Sequence, residues 1–339
     1  MKNKLLITSA LVTMVASGAA FAETKISGAM TLGYKAISND AGSSTTGTSK
    51  EGFGRETQIN VSKKGDLNNG LKYAAGFALE FDGNDTGSST SNENVHFDII
   101  SGSTTISFGM DHLPNTSQSA APRVAEHADT TFGSAAALFD YHGGVGIKED
   151  FAIGLMQKAP VGTFVAAYVP SQGDSGGADE VAGLAANTDN GNGAYWLLYS
   201  GNAGVKGLDI KLAYSKEENL ASEQDGKVKQ YGIGYNFGRY ALGVMVNDIQ
   251  TKTVGSDTKS YEYGATVALT DSLSAGINYV KTDGEVSTAV EDETITTVQV
   301  GYNMGAATVA FSYGTLENRA GVAAAKDVDV ASVRLSMGF

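Results

Sequence analysis

The chain has 339 residues, with 43 glycines, four prolines, no cysteine and a formal net charge of −13. The absence of cysteine excludes disulfides as a source of stability, and the acidic balance argues against a nucleic-acid partner. Abundant glycine permits sharp turns and bent strands, whereas proline, which lacks the N–H that a ladder needs, is nearly absent.

In chain order, residues 1–22 read as a secretory leader. Lys2 and Lys4 give a basic start, Leu5 to Ala16 an apolar stretch, and Ala20-Phe21-Ala22 a small-x-small cleavage site. The expected mature chain starts at Glu23, has 317 residues and, without the two leader lysines, carries −15. After Ala22 no run approaches the ~18–20 apolar residues of a spanning helix. A closed barrel is not excluded, because it hides its apolar residues at every second position.

Alternation of that kind recurs throughout. Ile26, Met30, Leu32 and Tyr34 oppose Ser27, Thr31 and Lys35; Tyr73, Ala75, Phe77, Leu79 and Phe81 oppose Lys72, Glu80 and Asp82. Leu208, Ile210, Leu212 and Tyr214 oppose Asp209 and Lys211, and Thr296, Val298, Val300 and Tyr302 oppose Gln299 and Asn303. Strands are expected to centre near residues 30, 59, 76, 97, 107, 154, 166, 197, 211, 233, 244, 265, 277, 298, 310 and 334, sixteen in all. Segments of ~9–11 residues match a tilted strand crossing an apolar band of ~25 Å. Connections after even strands are tight. Those after odd strands are long and polar, at 36–52, 83–93, 112–149, 170–193, 215–227, 249–258, 282–292 and 315–326. Antiparallel hairpins crossing a membrane produce such an alternation of turns and loops.

Aromatic residues gather at strand ends. Tyr34, Phe81, Tyr168, Tyr214, Tyr261, Tyr279 and Tyr313 lie towards the long loops, and Tyr235, Phe237, Tyr240, Tyr302 and Phe339 towards the short turns. Two belts at the lipid–water boundaries are expected. The last nine residues alternate apolar Ala331, Val333, Leu335, Met337 and Phe339 with Ser332, Arg334, Ser336 and Gly338. In water that apolar face is an aggregation liability, whereas lipid requires it.

The opening Glu23-Thr-Lys-Ile-Ser-Gly28, the turn Gly65-Asp-Leu-Asn-Asn-Gly-Leu-Lys72, Ile106-Ser-Phe-Gly109 before a long third loop, and Phe339 together resemble a Gram-negative general diffusion porin. The acidic chain and its modest length are most similar to the alphaproteobacterial type. The resemblance implies an all-β, transmembrane antiparallel barrel of sixteen strands over residues 23–339, with short periplasmic turns and long extracellular loops. It implies a homotrimer in the outer membrane, among lipid and lipopolysaccharide, and a third loop, about 112–149, folded into the pore. It also implies that Phe339 is read by the outer-membrane assembly machinery, and that the barrel passes small hydrophilic solutes and ions.

A sixteen-stranded barrel leaves an aqueous bore, so something must narrow it. The third loop is the longest connection, and long loops are usually functional. Its Ser119-Ala-Ala-Pro122-Arg-Val-Ala-Glu-His-Ala128 reads as one or two helical turns with proline near the start. Arg123, Glu126, Asp129 and Asp140 are its candidate constriction residues, placed in the bore by the resemblance. The opposing wall, a basic ladder in porins, is thin here. Its candidates are Arg55, Gln58, Lys72, Glu80 and Ser107, with Gln58 and Ser107 where the resemblance implies arginines. A thinned basic ladder beside an acidic loop implies a mild cation preference.

Other readings are weaker on the residues. His96, His112, His127 and His142 match no compact metal motif of the H-x-x-x-H kind, and solvated or packing histidines account for them. No cofactor is expected, although Ca²⁺ among the oxygens of Gly83-Asn-Asp-Thr86 or Asp189-Asn-Gly-Asn192 is an alternative to ordinary turns. A solute-specific channel, which saturates, is the nearest alternative function. A barrel enzyme needs an assembled Ser/His/acid cluster, and an adhesive barrel needs a plugged lumen.

Overall fold

The computed structural model describes residues 24–38, 50–84, 88–110, 112–114, 119–124, 151–169, 191–219, 226–250, 257–284, 292–318 and 327–339. The expected leader, Glu126, Asp129, Asp140, His127, His142, Asp85 and Asp189 lie outside them. The strands are β1 (Thr24–Ser38), β2 (Lys50–Asp66), β3 (Lys72–Asn84), β4 (Ser88–Ser101), β5 (Thr104–Met110), β6 (Phe151–Ala159), β7 (Gly162–Val169) and β8 (Gly191–Gly201). They continue as β9 (Leu208–Asn219), β10 (Gly226–Asn236), β11 (Tyr240–Gln250), β12 (Thr258–Ala268), β13 (Leu273–Gly284), β14 (Glu293–Asn303), β15 (Ala307–Glu317) and β16 (Val328–Gly338). All sixteen expected strands are present, and no helix occurs among the described residues.

Each strand pairs antiparallel with its sequence neighbours, and β16 pairs with β1 to close the barrel. Closure satisfies every ladder group, which an oily surround demands. At the seam Gly28 and Phe339 exchange two backbone hydrogen bonds, 2.7 and 2.9 Å. Gly28 gives the Phe339 ring its place, because a Cβ there would run into the ring and come within 2.9 Å of Gln58 O.

Alternation decides what each face meets. Leu32, Ile59, Phe97, Ile153, Leu197, Ile233, Leu242, Ile277, Val298, Phe311 and Val333 are solvent-accessible large apolar residues, and they form the outer, lipid-facing surface. Near the short turns Tyr235, Phe237 and Tyr240 stack in sequence, with ring centroids 6.3 and 5.7 Å apart. At the loop end Tyr263 and Tyr279 pair across β12 and β13, and Tyr195 and Tyr214 across β8 and β9. These are the two expected belts, set where amphipathic rings are most stable.

The buried residues line the inside instead. Two apolar patches occupy the inner wall: Ile37, Val280, Ile295, Leu316, Val328 and Val330 on β1 and β13–β16, and Ala152, Ala167, Val169, Ala194 and Trp196 on β6–β8. Elsewhere the inner face mixes buried Val165, Leu198, Val228 and Met245 with polar residues that cross-link the strands. Gln230 donates to Asn247 at 2.7 Å, Asn247 to Ser260 at 3.2 Å, and Gln299 to Asn278 at 3.2 Å.

One connection departs from expectation. The long loop expected over 83–93 is mostly strand, since β3 continues to Asn84 and β4 starts at Ser88. A ladder above the lipid band still gains backbone hydrogen bonds, so polar residues such as Ser88 to Asn92 extend it without an apolar face.

Candidate functional site

The third loop returns to the inside of the barrel wherever it is described. Leu113 packs against Ala152, Ala167 and Trp196, and Trp196 Nε1 donates to Pro114 O at 2.8 Å. Residues 119–124 then lie along the inner faces of β10 to β14. A run of inward-facing glycines makes room for this backbone. A Cβ at Gly232 would come within 2.7 Å of Ala120 Cβ, and one at Gly264 within 2.6 Å of Pro122 O. A Cβ at Gly276 would meet Val124 Cγ2 at 2.9 Å, and one at Gly301 would meet Val124 Cγ1 at 2.7 Å. Gly234 and Gly243, opposite each other across β10 and β11, both face Ala120 O. Part of the high glycine content is therefore a track for the loop, beyond any need for turns.

Polar side chains of the wall hold the segment in that track. Arg123 Nε donates to Glu262 Oε1 at 2.8 Å, and Arg123 Nη2 donates to the same oxygen. Ser119 Oγ donates to Glu262 Oε2 at 2.8 Å. Asn278 Nδ2 donates to Pro122 O at 3.2 Å, and Val124 N donates to Gln299 Oε1 at 2.8 Å. Both Glu262 oxygens thus take charge-assisted bonds, the stronger kind in a dry setting. Of the one or two helical turns expected over Ser119–Ala128, none occurs in 119–124, which bends at Ala121 and Val124, and 125–128 lie outside the described residues. Pro122 O and Val124 N are bonded by wall side chains and Ala121 N by Ser119 Oγ at 3.1 Å, so these backbone groups are served without coiling.

Of the expected constriction residues, Arg123 is thus placed on the inner wall, and its charge relation reverses the expected one: here the loop supplies the base and the wall the acid. Glu262 was not singled out in the sequence. Its signal was a lone carboxylate between Tyr261 and Tyr263 on an otherwise lipid-facing alternation.

The expected wall residues divide. Gln58 and Glu80 face each other across β2 and β3 on the inside, with Gln58 Nε2 donating to Glu80 Oε2 at 3.4 Å, and Asn60 donates to Gln58 at 3.3 Å. Ser107 is inward and 1% exposed, opposite Asp98. Lys72 is inward by register but sits at the short-turn end beside Asp66, at 3.2 Å, about 26 Å along β3 from Glu80. Arg55 is a correction. It pairs with Leu32 and shares the outer face with Phe53 and Ile59, so it is not on the pore wall. Strand β2 is longer than the lipid band, and above that band an outward basic residue meets polar surroundings, so polarity no longer reports which face it occupies. Besides Lys72, the inward bases on this side include Lys64 of β2, opposite Ala74, Lys35 of β1 and Arg334 of β16, the last two at alternate positions to outward Tyr34 and Val333.

A closed barrel of sixteen antiparallel strands, with an apolar outer face and the described part of its third loop lying against the inner wall, is the architecture of an outer-membrane diffusion channel. The Gram-negative porin family model matches residues 8–338, and the chain belongs to that family. A triple mutant of Rhodopseudomonas blastica porin has a similar structure, with a TM-score of 0.64 at 14% identity, covering 94% of this chain and 100% of that one. Another multiply substituted mutant of the same porin gives 0.63 at 13% identity with the same coverage. At such identities the likeness shows the fold. No curated protein sequence matches this chain.

Proposed function

We propose that this porin is a passive, mildly cation-preferring channel, narrowed where residues 119–124 and the loop that follows them stand against the inner wall. The observation that carries the reading is the consumption of the loop's base. Arg123 is neutralised by Glu262, while Glu56 and Glu80 face inward on β2 and β3, where Gln58 and Ser107 supply no positive charge. Arg55, turned outward, adds none either. Lys35 and Arg334, with Lys64 and Lys72 towards the short turns, are among the opposing bases. Carboxylates in a confined aqueous passage with low-dielectric walls raise the local cation concentration, so a modest excess is enough for preference.

Glu126, Asp129 and Asp140 belong to the same proposal as the acidic lip of the passage. The proposal extends to export by residues 1–22, to recognition of Phe339 by the assembly machinery, and to association of three chains. The test is the reversal potential of purified protein in a planar bilayer across a salt gradient. A cation-side potential that shrinks in Glu80→Gln supports the reading, and an anion-side potential overturns it. Saturable flux with block by one solute would indicate a solute-specific channel instead.

A further inference from the structure

A compact group of metal-ligating side chains lies on the inner wall at β4 and β5, away from the Arg123–Glu262 contact. His96 and Asp98 are alternate inward residues of β4, opposite Gly109 and Ser107, and His112 follows the end of β5. The His96 and His112 rings lie face to face, with centroids 3.6 Å apart and planes 6° from parallel. His112 Nε2 is 3.3 Å from Asp98 Oδ2, and one ligand atom from each of the three residues lies within 4.8 Å of the others.

Three features of the surrounding chain favour a ligand over a simple packed pair. Asp98 is 7% exposed, yet no hydrogen bond of normal geometry reaches its Oδ1. A buried carboxylate oxygen served at most by the loosely placed hydroxyl of Ser107 opposite it is costly, and a cation removes that cost. His96 Nδ1 lies 2.8 Å from Asn94 O, which fixes that nitrogen as the donor and leaves the Nε2 lone pair free. Metal-bound histidines are oriented in this manner by a backbone carbonyl. The carbonyl is aimed by a bulge: Asn94 has φ of 53°, and the β3–β4 register shifts between Gly76 and Ala78. Bulges re-aim side chains beside functional sites. Glycines on both neighbouring strands give His96 its room, since a Cβ at Gly76 would reach His96 Cε1 at 2.9 Å and one at Gly109 would reach His96 Cβ at 3.0 Å.

We propose that His96 Nε2, Asp98 and His112 Nε2 bind a late transition-metal dication, with Zn²⁺ the best fit, and that lumenal water completes the shell. In a tetrahedral site with bonds of about 2.0–2.1 Å, ligand atoms stand roughly 3.3 Å apart. The His112–Asp98 edge already has that length. The other two edges are within 4.8 Å, and they close when the stacked His96 and His112 rings tilt out of their parallel arrangement, His112 from beyond the end of β5 and His96 and Asp98 by rotation of their side chains. Two imidazoles and one carboxylate suit zinc, copper or nickel and not the oxygen-seeking Ca²⁺. A bound dication turns this wall from negative to positive.

The full chain, folded in detergent micelles and freed of metal, is titrated with Co²⁺ while d–d absorption is recorded, and Zn²⁺ is then added as competitor. One Co²⁺ per chain, displaced by Zn²⁺, is expected, with affinity at least about tenfold weaker in His96→Gln and in His112→Gln. His112→Gln alters no strand, so barrel folding, read from heat-dependent gel mobility, stays intact. Asp271→Asn, in the tight turn between β12 and β13, serves as the control and keeps wild-type affinity. Absence of binding, or binding that survives His112→Gln, overturns the proposal. Because the readout is binding, it is independent of whether the channel prefers cations.

Discussion

Glu262→Ala tests whether one carboxylate holds the third loop to the wall. Glu262 is 2% exposed and accepts two bonds from Arg123 and one from Ser119. Removing one member of a buried ion pair costs about 3–5 kcal/mol, because the remaining charge stays desolvated. The Arg123 side chain is 17% exposed, so some water reaches it and the lower end, about 3 kcal/mol, applies. Among the bonds left to the segment, those from Asn278 to Pro122 O and from Val124 N to Gln299 are neutral and contribute about 2 kcal/mol together. At about 1.4 kcal/mol per tenfold, the docked population falls relative to the undocked one by roughly 100-fold. Two assays follow it. Trypsin should cleave after Arg123 far faster in the variant, and open-channel current noise should rise. Glu262→Gln, which keeps a bonding side chain, should fall between. Equal trypsin resistance and equal noise in Glu262→Ala and wild type would refute the claim that this contact seats the loop.

Gly264→Leu places a side chain where Pro122 O lies and pushes the segment into the bore. Single-channel conductance should drop while the folded barrel persists on gels, and unchanged conductance would argue against the glycine track. Gly28→Val collides with the Phe339 ring at the seam and should destabilise the barrel by about 1–3 kcal/mol, read as a lower midpoint in urea. Asp292, just before β14, receives a hydrogen bond from Lys281 Nζ at 2.8 Å, which holds its carboxyl below the usual carboxylate range. A lowered folded-state value stabilises above the ordinary range, and the gain is lost as pH falls through the depressed one. Melting temperatures of wild type and Asp292→Asn should therefore differ at neutral pH and converge as pH falls below the ordinary carboxylate range.

The strands were legible because lipid imposes one rule on all of them. An apolar residue at every second position of β12, β14 or β16 is visible in a single sequence, and so are the tight turns at Thr270 to Ser272 and at Met304 and Gly305. Legibility ended where lipid ends. The polar tops of β3 and β4 read as a loop, and Arg55 read as a pore residue, because outside the apolar band polarity no longer marks a face. The seat of the third loop was less legible still. Gly232, Gly243 and Gly264 are scattered over three strands, and only the barrel's register aligns them. Glu262 and Arg123 are 139 positions apart, and nothing local to either one announces the other. His96, Asp98 and His112 likewise carry no motif spacing. A bulge at Asn94 and the turn out of β5 bring them together.

The seam between β1 and β16 sets a condition on how this molecule is made. Every other ladder joins strands that follow each other along the chain, whereas Thr31 meets Ser336 across 305 positions. Hairpins can zip in the order of synthesis, but a chain stalled before its last strand is a sheet with two raw margins, each ready to pair with a neighbour. A shortened product therefore fails as a sticky ribbon, not as a smaller pore, and whatever escorts the nascent protein has to mask both margins until the final residue arrives.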